Sequence, residues 1–298
     1  MPTSPAMDLL TRSLVDDAAI FPPGLAPVRQ AVEDHQRWRS VPLGRRLGPL
    51  LLSAPAVTEL RDLLIGDPSL LASSDLPIGV VARPGTPLDT LREAVDRVQE
   101  TAGLELVTVE LAPTESWERL LEIGLPVALE LPRDPEEAAT QLSELAGHRA
   151  RGAEVVAKWR TQSSPAGPIP TPDELAGFLT ACWAARVPFK LTGGLHHAIA
   201  RTAPAQSGEG TEEMHGALNV ALATLATVRG AGPEEVAAVL DERDGAPLAS
   251  SARQLDEDAA AAIRVQWMSF GCCGVTDPLD ELAGLGLLDP ADLTRPPA

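Results

Sequence analysis

Two lysines each close an apolar run. Residues 187–197 read VPFKLTGGLHH and residues 153–160 read AEVVAKWR, so Lys190 and Lys158 stand where a buried strand would end. Lysine is almost never fully buried unless it is paired or chemically engaged. Side chains alternate along a strand, which puts Lys158 with Arg160 on one face and Lys190 with Thr192 on one face. If the two strands are neighbours, both amines project into the same mouth. Crowded cations in a partly dry pocket disfavour the charged form, and a neutral amine is a nucleophile for carbonyl carbon, which is Schiff-base chemistry. On this reading, repulsion from Lys190 and Arg160 frees the Lys158 amine. The competing reading is a charge network that closes the strand ends, with Lys158 paired to Glu130 and Lys190 to Glu110.

Other residues around these runs carry chemistry of their own. His196, His197 and His215 are candidates for acid–base work or for hydrogen bonding to substrate, and Glu110 and Glu130 are candidates for moving protons. Consecutive histidines in extended chain point to opposite sides. The pair also lacks zinc-ligand spacing, so no tight structural metal is expected. His215 and Asn219, four apart on a helix, share a face that turns either to the mouth or beneath a covering loop. Arg160 offers a forked donor to a carboxylate or phosphate, and Arg201 reads equally well as a solvated loop residue. Cys272 and Cys273 read as small hydrophobes or as a reactive thiol. Asp16 and Asp17 read either as acids entering the pocket from the opposite wall or as a cap or surface pair.

The elements that must position these groups come from the apolar periodicity. Eight runs, roughly 16–21, 48–53, 77–82, 105–110, 125–130, 153–158, 186–191 and 264–270, alternate with amphipathic stretches such as PLDTLREAVDRVQETAG. Runs without polar alternation that are separated by helices indicate a parallel sheet covered by helices. Eight such units predict a (βα)8 barrel of the TIM type, an α/β fold, as one domain over residues 1–298. An open doubly wound sheet is the alternative, although no G-x-G-x-x-G turn follows the first run. The Pro/Gly/Ser-rich stretch 163–172 leads straight into a capping box at Thr171, Pro172 and Glu174, so it reads as a loop within one unit. Residues 192–216 are long for a loop and read as a mobile cover over the C-terminal mouth, with proteolysis expected near Gln206 to Gly210.

Composition bounds the partners. The net charge of −18, spread through helix-like segments, makes nucleic acid and anionic membranes poor partners and predicts a solvated surface. No run approaches ~18 apolar residues and the N-terminus lacks a basic, then apolar, leader. Three cysteines make no disulfide framework. Together these place the chain in the cytoplasm. Without tyrosine, proton transfer falls to His, Glu, Asp, Lys, Cys or water.

The stretches VVAKWRTQ, FKLTGG and SFGCCG resemble class I deoxyribose-phosphate aldolase over about residues 150–275. In that family the sixth strand ends in a Schiff-base lysine, the seventh in a second lysine before Gly-Gly, and the eighth in a phosphate loop. The resemblance implies that Lys158 forms the imine and that Lys190 perturbs it. It also implies that Gly193, Gly194 and the backbone of Gly271, Cys272 and Cys273 cradle phosphate. The match departs at Trp159 to Gln162, which replace a T-S-T-G turn, and at the two cysteines, which replace a serine pair. On the fourth strand only Glu110 is available as the acidic proton shuttle. KLTGGLHH followed by MHGALN also resembles a stretch in uncharacterised bacterial proteins.

The function expected from the sequence is therefore a lysine-dependent lyase of the aldolase type, acting on a small carbonyl substrate, with or without phosphate, and needing no cofactor. Two alternatives stand beside it. One is a metal-dependent hydrolase or isomerase that uses the histidines and acids. The other is a barrel that binds a small ligand or partner without catalysis. The oligomeric state is open, a homo-oligomer included.

Overall fold

The computed structural model describes residues 2–71, 75–83, 85–164, 167–204 and 210–295. Ten strands follow in chain order: β1 (Val15–Asp17), β2 (Leu47–Ser53), β3 (Leu76–Val81), β4 (Leu104–Leu111), β5 (Val127–Glu130), β6 (Val155–Arg160), β7 (Phe189–Thr192), β8 (Arg201–Pro204), β9 (Thr211–Met214) and β10 (Trp267–Cys272). Eight of them close into a parallel barrel in the order β1-β10-β7-β6-β5-β4-β3-β2. Helices follow the strands and cover them, so the protein is an α/β (βα)8 barrel. Each of the eight apolar runs contributes one barrel strand. All residues of β2 and β3 are buried, which is why these segments show no polar alternation.

The runs and the strands differ at their ends for local reasons. β1 stops at Asp17 because its own carboxylate accepts the Ala19 N–H at 3.0 Å, which turns the chain. The last run was expected from residue 264, but a helix capped by Asp256 continues through Gln266, and β10 begins at Trp267. The capping box forms as expected: Thr171 accepts from the Glu174 N–H, and the Glu174 carboxylate accepts from the Thr171 N–H. The stretch before it connects β6 to the helix Pro172–Ala185.

The segment 192–216 is more regular than a plain loop. It contains the antiparallel β8–β9 hairpin, held by Ser163 to Glu212 and by Arg243 to Thr202 and Glu213. Residues 205–209, where most of the expected cleavage falls, lie outside the described residues.

The main apolar core lies between barrel and helices, where Leu50, Leu52, Ile78, Val80, Val109 and Phe189 pack. Inside the barrel, Leu51 occupies the space that Gly79 and Gly271 leave open. Among the described residues no helix is long and apolar enough to cross a membrane.

Candidate active site at the barrel mouth

β5, β6 and β7 pair so that Glu130 stands beside Lys158 and Lys158 beside Lys190. Alternation sends Glu130, Lys158, Arg160 and Lys190 inward and their chain neighbours outward. Trp159, for instance, stacks on Phe178 of the covering helix with ring centroids 4.8 Å apart. The same alternation divides the acidic pair of β1. Asp16 enters the barrel, and Asp17 turns out to His35 at 2.9 Å.

The inward groups form one chain of alternating sign. Ser269 donates to Asp16 Oδ2 at 2.7 Å, and the Lys190 ammonium donates to Asp16 Oδ2 at 2.5 Å and to Glu110 Oε1. Lys158 Nζ lies 3.0 Å from Glu110 Oε2 and 3.3 Å from Glu130 Oε2. Arg160 closes the chain with a two-pronged bond to Glu130, at 2.9 and 3.1 Å. Glu110, Lys158 and Lys190 are 0%, 2% and 3% exposed. The side chains of Glu130 and Arg160 keep 23% and 31%, so the chain runs from the dry interior out to solvent.

The two lysines are held differently. Lys190 makes two hydrogen bonds. Lys158 stands at the longer distances of 3.0 and 3.3 Å from its two carboxylates, Glu110 and Glu130.

Burial and charge compete throughout this chain. For Glu110, burial opposes ionisation, but the Lys190 and Lys158 charges outweigh it and hold the carboxyl at about 2. Glu130 is also lowered, with burial overcome by Lys158 and Arg160. Burial keeps Asp16 above the usual carboxylate range despite Lys190. Burial alone would favour neutral Lys190, but Asp16 and Glu110 more than reverse this and raise it. These findings correct one expectation: the lysines do not face each other as crowded cations, because Glu110 lies between them. The pairings of the charge network, Lys158 with Glu130 and Lys190 with Glu110, are both present.

The three histidines do not form one cluster. His196 bonds Asp277, His197 bonds Glu281, and His215 is buried against the Pro170 carbonyl at 2.8 Å. Burial lowers His215 below the usual imidazole range. Arg201 joins His197 on Glu281. Among the described residues no three of His, Cys, Asp and Glu converge as metal ligands would. Asn219 is fully buried and its amide is spent on Ala200 N–H and the Val239 and Glu242 carbonyls. Its role is to fasten the helix that follows β9, not to meet substrate.

The glycine turn after β7 is required by packing. Gly193 and Gly194 take left-handed φ of 69° and 71°, and a Cβ would lie 2.4 Å from Gln162 Oε1 and 2.8 Å from the Thr161 carbonyl. The Gly193 N–H is engaged by the Gly271 carbonyl at 3.2 Å. Thr192 faces inward beside Gly271, where a Cβ would lie 3.7 Å from its hydroxyl. Cys272 and Cys273 lie against His196.

Sequence reasoning left Asp16 open and passed over Ser269, Asp277 and Glu281. Ser269 was within reach of it, because it lies two residues before Gly271 on the same strand face. A stronger signal was the lysine count itself. Of the 24 basic residues, two are lysines, and both stand in this chain.

No family model matches the chain, and no curated protein does. Among solved structures, dihydropteroate synthase from Xanthomonas albilineans, in complex with 7,8-dihydropteroate, is similar over 93% of this chain and 94% of that one. The identity is 14% and the TM-score 0.41.

Proposed function

We propose that the barrel is a lysine-dependent lyase of the aldolase type, in which Lys158 forms a Schiff base with a small carbonyl substrate. The observation that carries this reading is the choice of residue. The chain uses arginine for every basic position except Lys158 and Lys190. For a purely structural ion network arginine is the better residue, since its fork pairs carboxylates bidentately, as Arg160 does here with Glu130. Only an amine can form an imine.

The neighbours have distinct work in this reaction. Lys158 attacks the carbonyl carbon and, after proton transfers and loss of water, holds the substrate as an imine. That imine draws the electrons of the breaking carbon–carbon bond. Glu110 and Glu130, which both touch Lys158, move protons on and off its nitrogen, and Glu130 exchanges them with solvent at the exposed edge. Lys190, fixed by two hydrogen bonds, remains a cation and stabilises the alkoxide-like oxygen of the carbinolamine. Arg160 and the turn at Thr192 to Gly194 border the place where a phosphate or carboxylate of the substrate would lie.

Borohydride trapping tests the reading cleanly, because the two lysines and the N-terminal amine are the only amines present to react. Incubation with small aldehydes and keto acids, phosphorylated and not, followed by reduction, is expected to add one substrate mass at Lys158. Lys158→Arg, which keeps the charge and the ion pairs, is expected to abolish that adduct, and Lys190→Arg to keep it. Adducts confined to the α-amine, or none with any carbonyl, would leave the charge network as the account of these strand ends.

A further inference from the structure

A second group of reactive side chains gathers where β10 ends, around the loop that follows β7. The Nε2 of His196 lies 3.5 Å from Cys273 Sγ, and its Nδ1 lies 2.9 Å from Asp277 Oδ2. The carboxylate thus fixes one ring nitrogen while the other faces a thiol. Cys272 is placed differently. Its sulfur meets both ring nitrogens, at 3.6 and 3.9 Å, so it lies off the lone pair of either, and its thiol reaches the Gly274 carbonyl at 3.3 Å. Cys272 is buried and Cys273 is half-buried, while the Asp277 side chain is 50% exposed. The geometry separates the sulfurs: one is enclosed, and the other has both an imidazole nitrogen aimed at it and access.

We propose that Cys273 is a nucleophilic thiol, paired with His196 through the orienting carboxylate of Asp277, that exchanges with low-molecular-mass disulfides. The Cys273 sulfur attacks one sulfur of the disulfide, the old S–S bond breaks, and a mixed disulfide forms on Cys273. The Cys273 proton passes to solvent as the sulfur attacks, and the other half leaves as a thiolate that solvent reprotonates. Cys273 is oxidised and the leaving sulfur reduced, so the disulfide itself is the oxidant. The hydrogen bond to Asp277, followed by the contacts with the two thiols, raises His196 to about 12, so the ring stands as a cation beside the sulfur throughout the exchange. The step is independent of Lys158 and needs no carbonyl substrate.

Oxidised glutathione is the probe, with intact-mass and peptide-level mass spectrometry on the full chain. One glutathione per chain is expected, on Cys273 ahead of Cys272 and Cys182. His196→Gln is expected to slow the adduct roughly tenfold or more, as loss of a cationic partner does for activated thiols. Asp277→Asn is expected to slow it and Asp277→Glu to restore the rate, which a purely structural carboxylate at the helix start would not do. Labelling of buried Cys182 reports unfolding of a variant, and the Asp277 pair then carries the test. A Cys273 rate unmoved by His196→Gln in folded protein, or adducts forming first on Cys272, overturns the proposal.

Discussion

At the scale of single residues, the site is a balance between burial and charge, and Glu110 is where the balance shows most. Its carboxyl is held at about 2 against an ordinary value of 4.5, because two ammonium groups outweigh its burial. A lowered acid contributes stability that is fully present above its unfolded value and is lost as pH falls through its folded value. Wild type is therefore expected to lose stability on the order of 3 kcal/mol more steeply than Glu110→Gln between about pH 4.5 and about pH 2. Asp16, raised by burial, acts with the opposite sign in both proteins. Denaturant titrations of the two proteins across this range check it, and parallel pH profiles would refute it. Lys158, Lys190, Glu110, Glu130 and Arg160 were legible because strand alternation alone places them on inward faces. What a sequence does not show is which charges interleave across a barrel, and so repulsion was expected where Glu110 supplies attraction. Asp16 was ambiguous for the same reason, since one strand cannot say which of two adjacent acids faces in.

At the scale of elements, backbone approach decides what the side chains can reach. Gly48 of β2 runs so close to β1 that a Cβ there would lie 1.9 Å from Asp16 Oδ1. Gly48→Ala must displace either the strand or the carboxylate that holds Lys190. A loss of about 1–3 kcal/mol is expected, the usual cost of overpacking. Gly66, at the end of the helix Ala54–Gly66, has open space around it, so Gly66→Ala is expected to be neutral or slightly stabilising. Urea midpoints of the two variants make the comparison, and equal midpoints would mean that β2 yields without disturbing Asp16. Element type was well signalled here. The capping box at Thr171 and the eight apolar runs depend on local chemistry, which a sequence carries. The ends of β1 and β10 and the β8–β9 hairpin were not read, because an aspartate turn, a continuing helix and a polar hairpin all resemble ordinary loop in composition.

At the scale of the whole molecule, the barrel closes only where β1 meets β10, and the distant ends of the chain must be brought together there. Non-local closure of this kind has an entropic cost that local sequence signals do not offset. Arg46 supplies part of the compensation. It is 1% exposed, bonds Asp8 Oδ1 at 2.8 Å and Thr11 at 3.0 Å in the N-terminal helix Pro5–Thr11, and reaches Asp292 Oδ2 at 3.3 Å near the C-terminus. Thr3 donates to the same Asp292 carboxylate at 2.6 Å. Removing one partner of a buried pair costs about 3–5 kcal/mol, because the remaining charges lose their compensation. Asp8 and Asp292 keep 27% and 30% exposure, so water can recover part of it and the lower end applies. Arg46→Met is therefore expected to destabilise the barrel by about 3 kcal/mol. If the fastened ends belong to one cooperative unit, far-ultraviolet circular dichroism and the summed fluorescence of the five tryptophans should shift to one common lower midpoint. An unshifted midpoint would show that the seam is held by strand pairing alone. In a background with the other four tryptophans replaced by Phe, loss of Trp267 fluorescence ahead of helix content would show that the two chain ends peel away before the rest of the barrel unfolds.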